Sequence, residues 1–389
     1  MSERIITGID VGTFYTRVVI TRLVNAGGKT MPEIIGTGFA ESRGLKNGYI
    51  MQADEVARSI KSAVVQAEKS ANTVIKKAYL AIGSIGMEET YSHGEIIPAR
   101  TDSEISDIDL EKVIQDSEER IADHIPNRRI LHSIPLRYTI DNQEVLGQPT
   151  GMRGNKLEVD SLFITSFEQH IDNLINTVEK TGIFIEDDVV ASPLAASFVL
   201  LKKAHKRAGC ILINIGSETT SLVVYEDNIP ISLKIFPVGS NDITNDIALN
   251  LRVSLEEAEK IKRGSLTNVT FTKKRLDEIV NHRLQTIFEL VNDHLKKIKR
   301  DGLLPAGVFL TGGGANTQNI VDIAKNTLNL PARVANIEFT KHAKIKDTAW
   351  SVAYGLCFWG ANTTEKESRV GIIKQTKTSL SSWLNQFLP

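Results

Sequence analysis

One short glycine pattern occurs twice in this chain, each time between two runs rich in β-branched residues. The first copy is Ile5-Ile6-Thr7-Gly8-Ile9-Asp10-Val11-Gly12-Thr13-Phe14-Tyr15-Thr16-Arg17-Val18-Val19-Ile20. The second is Ile211-Leu212-Ile213-Asn214-Ile215-Gly216-Ser217-Glu218-Thr219-Thr220-Ser221-Leu222-Val223-Val224. Laid side by side, Asp10 falls on Asn214, Gly12 on Gly216, Thr13 on Ser217 and Thr16 on Thr220. Each copy reads as a strand, a tight turn and a second strand. Glycine lets the backbone approach a ligand closely, so such a turn can aim N–H groups and a hydroxyl at an anion. A single copy would be an ordinary hairpin. Two copies far apart in the chain suggest two related domains closing on one polyphosphate.

Composition narrows the class. At 389 residues, 41% hydrophobic and 24% charged, the chain is an ordinary globular sequence with room for two or more cores. A formal net charge of -1 argues against a nucleic-acid binder. Cys210 and Cys357 lie far apart without metal-ligand spacing, as a reducing cytosol permits. No signal peptide is expected before the first strand. The longest apolar run, 189–201, is interrupted by Ser192 and Pro193 and is too short to cross a bilayer.

Between the hairpins the pattern predicts a strand over 34–40 and an amphipathic helix over 54–70. Asp54 would be its N-cap, with Val56, Ile60, Val64 and Ala67 on one face. A buried parallel strand follows over 78–83, which suits an α/β sheet. From about residue 84 the texture changes. Polar sequence runs to Ser106, an N-cap with Asp109 three residues on, and a helix over 108–122. Extended runs over 130–140 and 157–165 flank a glycine-rich turn at 147–154, so this block reads as a small inserted α+β subdomain. The first fold resumes with a helix over 168–181 and a strand over 183–190. Ser192-Pro193 reads as a hydroxyl cap with proline at the first helical position, starting a helix over 194–203 that leads directly into the second hairpin. Helices over 254–263 and 274–299 come next. A buried strand from Gly307 then runs into Gly312-Gly313-Gly314, with a helix starting near Asn316, and an apolar helix covers 347–360.

Three glycine turns and two small-residue helices form a set. The hairpins would hold phosphates. The triple glycine would let a flat base or ribose lie against backbone at a helix start. Ala195, Ala196, Ala349, Ala353 and Gly355 would let two helices cross closely, as a hinge between domains, although alanine-rich helices also serve as plain core.

In this order the segments resemble phosphate 1, connect 1, phosphate 2, adenosine and connect 2 of the actin-like ATPase superfamily. Within it the resemblance is to the FtsA family of bacterial cell-division proteins, over essentially the full chain. It is carried most specifically by His132-Ser133-Ile134-Pro135-Leu136-Arg137-Tyr138, by Pro149-Thr150-Gly151-Met152-Arg153-Gly154 with Leu157-Glu158-Val159, and by the C-terminal tail. The implied fold is α/β, an actin-like (ribonuclease H-like) two-domain fold with a nucleotide cleft and an FtsA-type inserted 1C subdomain. Subdomain 1A would cover 1–84 and 167–205, 1C 85–166, 2A 206–245 and 305–345, and 2B 246–304. A connecting helix (346–361), a linker (362–377) and an amphipathic helix (378–389) would follow.

The resemblance implies ATP and Mg²⁺ as cofactors. Nucleotide contacts carry over onto Asp10, Gly12, Thr13, Tyr15 and Thr16, onto Gly216, Ser217, Glu218 and Thr219, and onto Gly312, Gly313, Gly314 and Ala315. Glu259 and Lys262 fall on a helix that touches adenine and ribose; read from the residues alone they are equally solvated helix charges. Asp10 would bind Mg²⁺ through water. One departure stands out: the family's second-hairpin aspartate is Asn214 here, and Ser192 stands where stronger ATPases carry glutamate. Phosphoryl transfer depends on positioned charge, so the expectation is nucleotide binding with slow or negligible hydrolysis. Whether the chain is an enzyme stays open on these grounds.

The tail supplies a second function. Leu380, Trp383, Leu384, Phe387 and Leu388 recur on one helical face, approached through Lys374 and Lys377. They suit an interfacial helix on anionic lipid, or a terminal helix docked on the protein's own core. At roughly 1.5–3 kcal/mol per buried side chain as an upper limit, one short helix would tether reversibly and a polymer firmly. The segment 252–300 carries twelve Lys and Arg against seven Asp and Glu, ordinarily a solvated face. The resemblance makes it the receptor of the FtsZ C-terminal peptide, with Arg275, Arg283 and Lys297 as candidates for its carboxylates. The implied protein polymerises, lies peripherally at the cytoplasmic face of the cell membrane at the division site, and meets later division proteins through 1C. A pilus-assembly relative of the PilM type and a kinase on the same scaffold are the alternatives.

Overall fold

The computed structural model describes residues 4–26, 29–98, 103–187, 189–265, 271–337 and 347–367. The N-terminal part opens with β1 (Ile5–Val11), β2 (Tyr15–Ala26) and β3 (Lys29–Glu41), a small hairpin of β4 (Leu45–Lys46) and β5 (Tyr49–Ile50), helix α1 (Ala53–Ala71) and β6 (Lys77–Ile82). The inserted block holds β7 (Glu88–Ile96), α2 (Asp107–Glu119), β8 (Arg128–Ile140), β9 (Gln143–Val145) and β10 (Leu157–Phe167). The first fold then closes with α3 (Glu168–Glu179), β11 (Phe184–Ile185), β12 (Val190–Ala191), α4 (Ser192–Leu200) and α5 (Lys203–Ala208). The second domain contains β13 (Cys210–Ile215), β14 (Thr220–Glu226), β15 (Ile229–Phe236), α6 (Ser240–Leu251), α7 (Leu255–Lys262), α8 (Lys273–Lys297), β16 (Gly307–Thr311), α9 (Ile320–Leu328) and β17 (Ala332–Val334). Helix α10 (Ser351–Glu367) returns to the first domain, packing on β1, β2 and β6.

The two domains repeat one topology. In the first, β1 pairs antiparallel with β2, β2 with β3, and β1 parallel with β6. In the second, β13 pairs antiparallel with β14, β14 with β15, and β13 parallel with β16. Register matches as well: Asp10 stands opposite Arg17 and Asn214 opposite Ser221. The inserted block is a separate antiparallel sheet in the order β7-β10-β8-β9, with α2 packed on it.

The small-residue helices cross as closely as their composition allows. A Cβ on Gly355 of α10 would strike the Ala195 carbonyl oxygen of α4, and one on Gly8 of β1 would strike the Ala353 carbonyl oxygen. Only glycine fits at either contact, so α10 is seated directly on the sheet that carries the first hairpin.

Several local expectations are corrected. The N-cap of α1 is Gln52, and Asp54 lies in the first turn, where its charge favours the helix dipole. Ser192 is the first residue of α4 and Ala191 its N-cap. The strand expected over 183–190 is two short pieces, both paired with β6, and the helix expected over 194–203 ends at Leu200, with α5 before the hairpin. The triple glycine opens a 3-10 turn, Gly313–Asn316, and α9 begins only at Ile320. Helix α10 continues through Glu367, so the first part of the expected linker is helical; polar Glu and Lys are good helix formers. The sequence pattern does not signal strands β4, β5, β7, β9, β15 and β17 or helix α6. The tail residues Leu380, Trp383, Leu384, Phe387 and Leu388 lie outside the described residues.

Buried histidines make stability depend on pH. Burial pulls His132 down to about 3 and His170 down to about 4. Burial, then Lys234 and Lys297, pull His294 down to about 4. The His132 Nε2 accepts the Ala191 N–H at 3.0 Å, a bond that protonation would abolish. Below the ordinary histidine pKa near 6.5 the unfolded chain takes up protons that the folded chain refuses, so stability falls as pH drops toward 4. Asp10, pushed up to about 6 by burial against the pull of Arg17, acts in the opposite sense between about 4 and 6, as does Glu118, raised by burial and by Glu119, so two carboxyls stand against three histidines. Urea unfolding at pH 7 and pH 5 will show the loss, at roughly 1 kcal/mol per pH unit for each histidine. Replacing His170, whose Nε2 has no partner among the described residues, by glutamine will flatten the slope. A wild-type profile flat over that range would mean the imidazoles stay protonated when buried.

Candidate functional site

The two hairpins face each other across a cavity of about 520 Å³. From the first domain Asp10, Gly12, Thr13, Phe14, Tyr15 and Arg17 line it; from the second, Gly216, Ser217 and Thr219 do, with Glu259 and Lys262 of α7 on one side. Gly312, Gly313 and Gly314 form part of its wall. Gly313 is exposed there, and a Cβ on it would meet nothing within 4 Å. Gly312 has φ +87° and its Cβ would run into the Asn214 side chain and the Ile215 carbonyl, so it is fixed as glycine by the backbone.

Three of the sequence candidates do not line the cavity. Thr16 is buried behind the first turn, its hydroxyl 2.9 Å from Ser42 Oγ. Ala315 is buried among the apolar residues of the second domain. Glu218 points the other way across the cleft, where its Oε2 accepts the Asn47 N–H at 2.6 Å. That amide is offered by the Asn47-Gly48 turn between β4 and β5, with φ +50° and +81°, a hairpin geometry suited to Asn-Gly. The turn thereby ties the first domain to the second hairpin.

The charges in the cleft are unequal. Burial pushes the Asp10 carboxyl up to about 6, although Arg17 opposes this. Burial lowers Arg17, which is held charged by Asp10, Asp347 and Tyr15, and its guanidinium carbon lies 5.3 Å from the Tyr15 ring centre and 5.8 Å from that of Trp350. Asp10 and Asp347 thus favour the charged form, and the guanidinium rests on an aromatic floor of Tyr15 and Trp350. Sequence reading missed both Arg17 and Asp347. Arg17 was legible from hairpin register alone, because residues opposite each other share a face. Asp347 gave a weaker sign, as the N-cap of the Thr348–Trp350 turn, where its carboxylate accepts the Ala349 N–H at 3.0 Å.

Glu259 and Lys262 are not freely solvated. Lys262 Nζ lies 2.6 Å from Glu259 Oε2 and donates to Thr244 Oγ1 at 2.7 Å and to the Ser240 carbonyl at 3.1 Å. Burial alone would raise the Glu259 carboxyl, but bonds from Lys262, Thr244 and Arg263 outweigh it and bring it down to about 2. Both side chains are held at the cavity wall by this network.

The partner candidates separate. Arg283 makes a two-pronged ion pair with Asp246 at 2.6 and 2.8 Å, so an incoming carboxylate would have to displace that residue. Arg275 bonds Asn250 Oδ1 at 3.0 Å and lies 3.5 Å from Glu278. Lys297 is exposed at the end of α8. Among the described residues, His93, Glu95 and Glu158 are close enough to share a metal ion. The Lys156 ammonium already sits 2.6 Å from Glu95 and 2.8 Å from Glu158, in the place a cation would take. No helix among the described residues is long and apolar enough to cross a membrane.

Two like domains with a glycine hairpin on each wall of a shared cleft define the actin-like class of fold. Solved structures agree. The PilM-PilN type IV pilus biogenesis complex matches with TM-score 0.69 at 16% identity, covering 92% of this chain and 98% of that one. MreB5 of Spiroplasma citri bound to AMPPNP matches with TM-score 0.53 at 13% identity, covering 95% and 99%. Residues 211–355 match the family described as Cell division protein FtsA, and residues 87–165 match the SHS2 domain inserted in FTSA. The chain is 30% identical to the cell division protein FtsA of Borreliella burgdorferi, over 86% of this chain and 85% of the relative. It is 29% identical to that of Pseudomonas aeruginosa, over 92% and 90%. The chain belongs to the FtsA family of cell-division proteins. An FtsA-type inserted domain is therefore present over 87–165, and the pilus-type likeness, at 16% identity, is weaker than the likeness to FtsA.

Proposed function

We propose that this chain binds ATP in the interdomain cleft, polymerises, and tethers FtsZ filaments to the inner face of the cytoplasmic membrane through its C-terminal amphipathic segment. The observation that carries the nucleotide reading is the cavity walled by both hairpins, with Gly313 leaving backbone open on its surface. The residues fit the ligand. Main-chain N–H groups and the Thr13, Ser217 and Thr219 hydroxyls suit phosphates, and Lys262 supplies a positive side chain at the wall. The Asp10 carboxylate would hold Mg²⁺ through water; the metal would neutralise phosphate charge and draw Asp10 into its ionised form. Asn214 offers an amide in place of a second acid, which favours holding nucleotide over hydrolysing it, so any ATPase activity is slow. In this reading bound ATP stabilises the closed pair of domains, and closed subunits stack into filaments whose many tails together hold the membrane. Family membership supports the division role; Arg275, Arg283 and Lys297 remain the candidate contacts for the FtsZ peptide, with Arg283 requiring exchange of Asp246. Later division proteins would meet subdomain 1C.

Electron microscopy of the purified full chain with ATP on anionic lipid monolayers tests this reading. Filaments are expected on the lipid with ATP. They are expected to leave the surface when Trp383 and Phe387 are both changed to glutamate, and liposome co-sedimentation is expected to fall to background. Lipid binding unchanged by that double substitution would remove the tether, and absence of measurable ATP binding would remove the nucleotide role.

A further inference from the structure

The inserted subdomain touches the second domain through a buried polar chain. Strand β15 is the edge of the second-domain sheet, so its outward backbone groups have no strand partner. Side chains of β7 take their place: Glu89 Oε2 accepts the Leu233 N–H at 2.9 Å, and the Tyr91 hydroxyl donates to the Ile231 carbonyl at 3.1 Å. Glu89 Oε2 also accepts the Ser232 hydroxyl at 2.7 Å. Ser232 is fully buried, and its Oγ lies 2.7 Å from Nε2 of buried His294 on α8. A serine hydroxyl has one proton, and Glu89 receives it, so His294 Nε2–H is the donor in the remaining bond. The chain runs in one direction, from imidazole through hydroxyl to carboxylate, and joins three parts of the protein: α8, the second sheet and the inserted subdomain. Such chains strengthen when complete, and leave buried donors orphaned when one member goes. Around it Leu233 and Ile235 of β15 share one apolar cluster with Ile134, Tyr138 and Val159 of the inserted subdomain, with a small cavity of about 50 Å³ bordered by Ile134, Leu136, Val145, Ile229 and Pro230. The polar chain adds directional bonds to that apolar contact.

We propose that Glu89, Ser232 and His294 form a latch that locks the inserted subdomain to the second domain, so that opening of the cleft requires the latch to break. The latch couples α8 to the inserted subdomain, and the two surfaces communicate through its making and breaking. Its effect on nucleotide release rests on the cleft being a nucleotide site; its effect on the junction does not.

The full chain loaded with mant-ATP separates these points. Glu89→Ala and Ser232→Ala are each expected to speed mant-ATP release roughly tenfold, the scale of one lost hydrogen bond to a charged group. The double variant should add little, because both changes break one chain. Tyr91→Phe, at an exposed position that leaves the core untouched, is expected to act in the same direction with a smaller effect. Hydrogen exchange in the absence of nucleotide supplies the independent arm. His294→Ala lies on α8, yet is expected to raise exchange along β7. Should wild-type chain bind no mant-ATP, the nucleotide reading fails and the exchange arm alone decides the latch. Unchanged β7 exchange in folded His294→Ala protein would overturn the coupling, and release rates equal to wild type in Glu89→Ala, Ser232→Ala and Tyr91→Phe would overturn the latch.

Discussion

Gly313→Val will weaken ATP binding by about two orders of magnitude while leaving the unfolding midpoint in urea where it was. The reason lies in where the missing side chain would go. Gly313 ends the β16 turn on the cavity wall, and an added Cβ meets no atom within 4 Å, so the folded chain tolerates it. A ligand lying against that backbone does not. Valine would occupy the space of a base or sugar, and the lost contact plus forced displacement is worth about 3 kcal/mol, or roughly a hundredfold. Isothermal titration with ATP reads the affinity, and urea unfolding reads the fold. Equal affinity in the variant would place the base elsewhere in the cleft. The neighbouring Gly314 gives the contrast, because its Cβ would press on Ile215 and cost stability directly.

Gly355→Val will abolish stable folding or remove roughly 3 kcal/mol or more of stability, the largest structural effect expected of a single change here. The contact at this position is between backbones: a Cβ would meet the Ala195 carbonyl oxygen of α4, which cannot rotate away as a side chain could. Relief would require α10 to part from α4 and so to shift on β1, where Gly8 makes an equally close approach to Ala353. Both the core of the first domain and the position of the Asp10 hairpin depend on that seat. Urea unfolding of the purified variant, or its absence from the soluble fraction, measures the effect. A variant as stable as wild type would show that the two helices have slack at their crossing.

Much of this fold can be read before any coordinates. The hairpins, the buried strands β6 and β16, α1, α7 and α8, and the insertion all follow from periodicity and glycine placement. The misses have physical causes. Strand β7 is polar along its length, because its outer face carries ion pairs such as His93 with Asp160. Its inner face drops to Gly94 beneath α2, where a Cβ would strike the Val113 carbonyl oxygen. Neither face shows the apolar alternation that identifies a strand. Helix α6 is rich in Asn and Asp, which are poor helix formers, and is fixed by tertiary burial of Ile243, Thr244, Ile247 and Ala248. At the site, glycines and hydroxyls were legible because turn chemistry is local. Glu218 and Thr16 stand in the same motif yet serve elsewhere, one across the cleft and one in the core behind it.

The sequence by itself determined that two copies of a glycine hairpin would be built, that the first would carry an acid at Asp10 and the second an amide at Asn214, and that a subdomain interrupts the first fold. Those properties depend on spacing, on backbone freedom at glycine and on side-chain type, all of which are local. Only the tertiary structure decided that Asp347 would come within electrostatic reach of Arg17, that Arg283 would be occupied by Asp246, and that Glu89 would reach Ser232 and His294. These pairings join residues that are distant in the chain. Their partners are selected by how sheets and helices pack, and the free energy of each depends on burial that a linear pattern does not encode.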